Sequence, residues 1–346
     1  MRKILFFFLP LSLFAQMPAY YQGIDFTQSG EQIQADLAAL IIATHSYELI
    51  YTPEVWDALK LADLDPDNPQ NVFLIYGYDD EDEDSVNDRT RDKDLSCHTS
   101  SCAGKWVREH VFPKSLGNPS FSNEGPGSDA HSIRAVDYTW NNSRSNRKFA
   151  EGEGHSHITD QGFFYPGDEW KGDVARMMMY MHLRYGNRCT ANQVGVGTHT
   201  HHPDMLDIFL EWNAEDPVSE YEMVRNEVLQ DMQGNRNPFI DNPYLATLIW
   251  GGDEADNTWV ELSVKDEIFA QTTVYPNPSN GDFNLKSNKI IQSVAVFSMD
   301  GSKVSGQNLY RSEAQIHLEE LNNGTYILLI QYSDNTYETR RILVRK

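Results

Sequence analysis

Three short blocks between Ala103 and Ala150 bring together side chains able to do chemistry. They are Glu109-His110 within Trp106 to Ser115, Asp129 and His131 within Asp129 to Arg134, and Asn141 with Arg144 within Asn141 to Asn146. A carboxylate and an amide offer hard oxygens suited to Mg²⁺ or Ca²⁺. An adjacent imidazole can take a proton from water near neutral pH, and an arginine can grip phosphate. Those are the parts of metal-assisted phosphodiester hydrolysis. The same window holds seven Lys and Arg against four Asp and Glu, a local +3 in a chain of 346 residues whose formal charge is −23. The global figure excludes a uniformly basic protein that coats nucleic acid, and it requires any polyanion to meet a local patch.

These residues need particular elements to hold them. Neighbours on a regular strand point to opposite faces, so Glu109 and His110 serve one site only if the strand ends or bulges there. Asn141 and Arg144, three apart, share one face of a helix. Helical spacing of Ile33, Leu37, Leu40 and Ile41 predicts a helix over 31–46, and Thr52-Pro53 predicts the start of another. Asp168 to Tyr185, Pro203 to Trp212, and Asp216-Pro217 to Gln233-Gly234 predict three more, with Met177, Met178, Met179 and Met181 as core. The acidic run Asp79 to Asp84 reads as a solvated loop, and His199 to His202 and His155 with His157 as loop residues rather than zinc ligands.

The three blocks resemble the secreted and periplasmic bacterial endonuclease I family, whose centre is a ββα-metal, or His-Me, finger. The pattern Glu-His-Val-x-Pro falls on Glu109 to Pro113, Asp-x-His on Asp129 to His131, and Asn-x-x-Arg-x-Asn on Asn141 to Asn146; Gln233 to Phe239 matches a further family block. The resemblance spans about Gln22 to Gly252. It implies His110 as general base and Glu109 with Asn141 as ligands of one divalent ion, Mg²⁺ with Ca²⁺ or Mn²⁺ as alternatives. Arg144 would contact a phosphate or brace the site, and His131 is a supporting catalytic candidate; Ser132 departs from relatives that carry a second histidine. The implied activity is sequence-nonspecific hydrolysis of DNA, with RNA as a second substrate, by a monomer. The competing readings are a noncatalytic adhesin and a metal-dependent phosphodiesterase acting on small substrates.

Residues 1–16 read as a signal peptide: Arg2-Lys3, the apolar run Ile4 to Phe14, and Ala15 before a cleavage point. No apolar run reaches the roughly 20 residues of a membrane-spanning helix. Three cysteines allow one disulfide, expected between Cys97 and Cys102, with Cys189 buried. Beyond a polar linker at 253–271, residues 272–346 alternate short β-rich runs with turns at Asp300-Gly301 and Asn322 to Gly324. Val274 to Pro278 with Asn280-Gly281, Leu321 to Tyr326 and the basic end Arg345-Lys346 resemble the type A C-terminal sorting domain of the type IX secretion system, an address read by the export machinery. The fold class expected is α+β: a mainly helical nuclease domain at 17–252 containing the ββα-metal finger, then a small all-β sandwich.

Overall fold

The computed structural model describes residues 15–99, 101–260, 272–298, 302–318, 320–333 and 337–346. It divides into two compact units, residues 1–261 and 262–346. The leader up to residue 14, the end of the expected linker from 261, and the Asp300-Gly301 turn lie outside the described residues.

In the first unit, helix α1 (Gly30–Thr44) starts at Ser29, whose hydroxyl accepts from Gln32 N, and buries Ile33, Leu37 and Ile41 at a four-residue spacing. Helix α2 (Glu54–Ala62) follows Pro53; Thr52, expected as its cap, gives no capping hydrogen bond. Strands β1 (Asn71–Phe73) and β2 (Thr90–Asp92) pair antiparallel. Strand β3 (Trp106–His110) pairs antiparallel with β4 (Ile133–Asp137), in a register setting Glu109 opposite Arg134 and His110 opposite Ile133. Helix α3 (Tyr138–Arg144) leaves β4 directly, because the Asp137 carboxylate caps Thr139 N at 2.6 Å.

Helix α4 (Lys171–Tyr185) is buried from Gly172 to Leu183, all four expected core methionines included, so it is a central element and not a surface one. Around it lie α5 (Asp207–Glu215), α6 (Glu220–Gln233) and α7 (Tyr244–Trp250). The Ser219–Glu222 capping box opens α6, and Gly234, at φ +92°, closes it. Trp56, Leu59, Trp106, Ile133, Ala135 and Leu229 form a second apolar cluster that ties the β3–β4 ribbon to α2 and α6. Under that ribbon, fully buried Asp63 accepts from Ala135 N at 2.7 Å and from Tyr221 at 2.7 Å, and it pairs with Arg134 and Arg225.

The start of the expected linker belongs to this unit. Trp259 packs on Tyr21 at 4.9 Å and Phe26 at 5.4 Å between ring centroids, and Asp256 O accepts from Tyr244 N. Burial of one indole outweighs the polar composition of Asp253 to Asn257. Cys97 and Cys102 are bonded, and Cys189 is buried and free.

The second unit departs from the expected sandwich. Strands β5 (Thr273–Tyr275), β6 (Asp282–Ser298), β7 (Lys303–His317), β8 (Gly324–Tyr332) and β9 (Tyr337–Val344) form a single antiparallel sheet, ordered β7-β6-β8-β9 with β5 on β6. The reason is the length of β6. Irregularities between Lys286 and Ser293 break it into two halves, the first beside β5 and the second beside β8. The sheet thus curls over its own core, Phe283, Leu285, Val296, Leu328, Ile330 and Ile342 among others.

Candidate active site

Strand β3 ends on His110, and Glu109 and His110 point to opposite sides of it, as alternation requires. What joins them is α3. Arg144, at its last turn, places Nη1 3.2 Å from Glu109 Oε1 and 3.1 Å from the His110 carbonyl, while Nη2 donates to Val111 O at 2.7 Å. Ser145 then reverses the chain at φ +53°, closing the helix after two turns.

Glu109 is 3% exposed. Tyr76 donates to its Oε1 at 3.2 Å from a backbone held at φ +76°, a costly conformation for a bulky residue. Burial pushes the Glu109 carboxyl up to about 7, with Arg144 and Tyr76 only partly offsetting it. Among the described residues, Oε2 of Glu109 and the side-chain oxygen of Asn141 accept no hydrogen bond. Asn141 stands one turn before Arg144 on the same side of α3 and is half-buried. No three His, Cys, Asp or Glu side chains converge as a metal cluster among the described residues.

The His110 ring is fixed twice. Its Nε2 lies 3.0 Å from the Gly127 carbonyl, and Tyr51 stacks on its plane with centroids 5.6 Å apart. A carbonyl only accepts, so Nε2 carries the proton and the free lone pair belongs to Nδ1, which has no partner among the described residues and is not enclosed. Burial first, then Lys114, Arg108 and Arg144, hold the imidazole down at about 4 against the pull of the Gly127 carbonyl. The ring is neutral at pH 7. Gly127 admits no side chain: a Cβ there would stand 1.9 Å from Ser122 O.

His131 is elsewhere. It is 2% exposed, with Nε2 3.1 Å from Asn235 O and its ring 4.7 Å from that of Tyr180. Asp129 beside it accepts from Tyr180, Tyr185, Gln233 Nε2 and His131 N, all between 2.8 and 3.0 Å. The Gln233 to Phe239 block therefore buttresses this corner, with Gln233 Oε1 accepting from Ala130 N at 2.8 Å. Arg144 is likewise closed to solvent, so of the two uses expected for it the bracing contacts are the ones present. A guanidinium closed to solvent, with both Nη groups engaged and Nε buried without a partner, cannot reach a phosphate in solution. His131 and Arg144, both expected among the catalytic groups, are buried and bonded inside the fold, whereas Glu109, equally buried, keeps Oε2 unpartnered, and His110 and Asn141 are half-buried.

Sequence reasoning overlooked Tyr51, Tyr76 and Gly127. The Gly125-Pro126-Gly127 run was a legible sign of a close backbone approach. The two tyrosines carried no signal, since each reaches the site from a distant segment.

Residues 29–244 match the family model described as Endonuclease I, and residues 273–345 that of the secretion system C-terminal sorting domain. The extracellular ribonuclease of Bacillus subtilis (strain 168) is 36% identical over 254 residues, covering 70% of this chain and 81% of the relative. That of Bacillus amyloliquefaciens is 39% identical over 248 residues, covering 68% and 79%. A periplasmic deoxyribonuclease of Aeromonas hydrophila is 26% identical over 138 residues, covering 37% and 53%. The sorting segment marks the protein for export by the type IX system, and no helix among the described residues is long and apolar enough to cross a membrane. The first of these matches takes in most of the first unit, with the β3–β4 ribbon, α3 and every residue of the site inside it, and on that ground the chain belongs to the Endonuclease I family.

Proposed function

We propose that this secreted protein is an endonuclease that hydrolyses phosphodiester bonds of RNA and DNA without reading sequence, from a ββα-metal finger formed by β3, β4 and α3. The observation that carries the reading is the His110 ring, held at Nε2 by the Gly127 carbonyl with Nδ1 open, one residue from a buried carboxylate. Nδ1 takes a proton from water as the water oxygen forms its bond to phosphorus, and the bond to the leaving oxygen breaks in line. Glu109 Oε2 and the Asn141 amide oxygen are the unpartnered hard donors that fit Mg²⁺, Ca²⁺ or Mn²⁺. Such an ion would neutralise charge on the phosphate and leaving oxygen. Arg144 braces Glu109 against the strand end, and His131 acts at a distance by holding the Asp129 corner.

The two extracellular ribonucleases support RNA as a substrate, and the periplasmic deoxyribonuclease supports DNA. Four cations of the 103–150 window, Lys105, Lys114, Arg147 and Lys148, make no ion pair among the described residues and supply backbone contacts without base readout; Arg108, also unpaired, is held between aromatic rings. The test is digestion of circular plasmid and of long RNA, with Mg²⁺ and with EDTA, by the wild type and His110→Ala. Cleavage of both polymers that EDTA stops and His110→Ala lowers by about 10³-fold or more is expected. Intact polymers with the wild type in Mg²⁺, Ca²⁺ or Mn²⁺ overturn the nuclease reading. Full rate in His110→Ala overturns the assignment of the base.

A further inference from the structure

Successive side chains on one face of a strand stand about 6.6–6.8 Å apart, which leaves room for one flat group between each pair. On β3 that face carries Trp106, Arg108 and His110. Two rings from the segment around α2 fill both gaps. Trp56 lies 5.1 Å from Trp106 and 4.5 Å from the Arg108 guanidinium; Tyr51 lies 3.5 Å from that guanidinium and 5.6 Å from the His110 ring, nearly parallel to it at 28°. The result is one interleaved row, Trp106, Trp56, Arg108, Tyr51 and His110, with the two indoles tilted 56° to each other and the imidazole last. His98, beside the Cys97–Cys102 disulfide, covers the other part of Trp56 at 4.0 Å.

Arg108 is locked into the row by more than its position between rings. Its Nη1 donates to the Tyr51 carbonyl and, at 3.3 Å, to Thr52 Oγ1. The guanidinium thus clasps the backbone of the residue whose ring it underlies. Tyr51 makes no side-chain hydrogen bond among the described residues, so its ring is set by packing: Arg108 and His110, the second apolar cluster, and Lys114 Nζ 5.2 Å from its centroid.

We propose that Tyr51 is a positioning residue for the catalytic imidazole. The hydrogen bond to Gly127 fixes one point of the His110 ring but leaves rotation about that axis, and the Tyr51 face removes it. With both constraints Nδ1 has one direction, and the water it deprotonates has one place. This rests on His110 being the general base. Tyr51 touches neither water nor phosphate in this role, so its loss acts on turnover and not on substrate binding. Displacing a reacting group by about 1 Å costs on the order of 10²-fold in rate.

The experiment measures kcat and KM for plasmid and RNA cleavage with the full chain carrying Tyr51→Leu or Tyr51→Phe, beside wild type and His110→Ala, with a thermal melt of each. Tyr51→Leu is expected to lower kcat about 10- to 100-fold at a KM within about twofold of wild type, and Tyr51→Phe, which keeps the ring, to restore kcat to within about threefold. If the leucine variant melts below the assay temperature, Tyr51→Met, an adaptable filler of the same gap, carries the same expectation. Wild-type kcat in the variant without the ring overturns the proposal. So does a rise in KM at unchanged kcat, which would make Tyr51 a substrate contact, and so does equal loss in Tyr51→Phe, which would assign the effect to the hydroxyl. None of these touches the identity of the base, which stands or falls on His110→Ala alone.

Discussion

Arg144 carries more of the site than any other single side chain. It contacts the Glu109 carboxylate, the His110 carbonyl and the Val111 carbonyl, and it is wholly enclosed. Removing one partner of a buried charge pair leaves the other desolvated and alone. Arg144→Met should therefore cost about 3–5 kcal/mol in urea unfolding, while Glu109→Gln, which keeps an acceptor for Tyr76, should cost less and abolish cleavage. A loss below about 1 kcal/mol for Arg144→Met would mean that Glu109 is protonated in the folded protein and that the pair is a charged guanidinium donating to a neutral carboxyl. Of the two uses expected for this arginine, phosphate contact and bracing, the contacts present are those of a brace. Its spacing from Asn141 was visible along the chain, whereas its enclosure depends on Phe149, over whose ring the guanidinium lies at 4.6 Å, and on α3 folding back against β3.

At the scale of elements, the two-stranded ribbon and the short helix after it are too small to hold themselves. Their support comes from α2, α6 and the Gln233 to Phe239 turn, which arrive from more than 40 residues upstream and about 100 downstream. The helices that deliver them were legible: α1, α4, α5 and α6 fall where periodicity and caps predict, because the apolar spacing and the capping residues act locally. Gly234 tests the connection. At φ +92°, an added Cβ would stand 2.3 Å from Thr44 O and 2.5 Å from Ser46 Oγ, against the end of α1. Gly234→Ala should destabilise by about 1–3 kcal/mol. It should also lower cleavage at temperatures where the protein stays folded, because Gln233 next to it holds Ala130 and Asp129. Unchanged melting together with unchanged rate would remove this turn from the account.

For the whole molecule, charge is segregated. The chain is −23 overall, yet Arg134 and Arg144 of the 103–150 window are buried in ion pairs, and so are Glu109 and Asp137. Asp129 is buried as well and Arg108 is held between two rings, so Lys105, Lys114, Arg147 and Lys148 with the exposed Glu124 are what solvent and substrate meet. An acidic body with a small cationic face holds nucleic acid through few contacts. The KM for plasmid should rise as a power of salt concentration, with an exponent of about 3–5, and fall by about one unit of that exponent for each of Lys148→Gln and Arg147→Gln that contacts a phosphate. A KM indifferent to salt between about 50 and 200 mM would exclude these residues as the substrate face.

The sequence by itself determined the chemistry, the helices and the address. The order and spacing of Glu109-His110, Asp129 to His131 and Asn141 to Asn146 pointed to the family, and the turn-punctuated tail to its sorting domain, because those signals are local in the chain. The tertiary fold settled which of the named residues are bonded inside the fold and which keep a free polar atom. His131 and Arg144 share the motifs' spacing with His110 and Asn141, and only the packing of Tyr180, Asn235 and Phe149 around them turns them inward. It also brought Tyr51 beside His110 and Tyr76 onto Glu109, and made the tail one curled sheet. For His131, Tyr51 and Tyr76 the deciding contact joins segments far apart in the chain, where side-chain volume and hydrogen-bond geometry select a partner that no local pattern encodes.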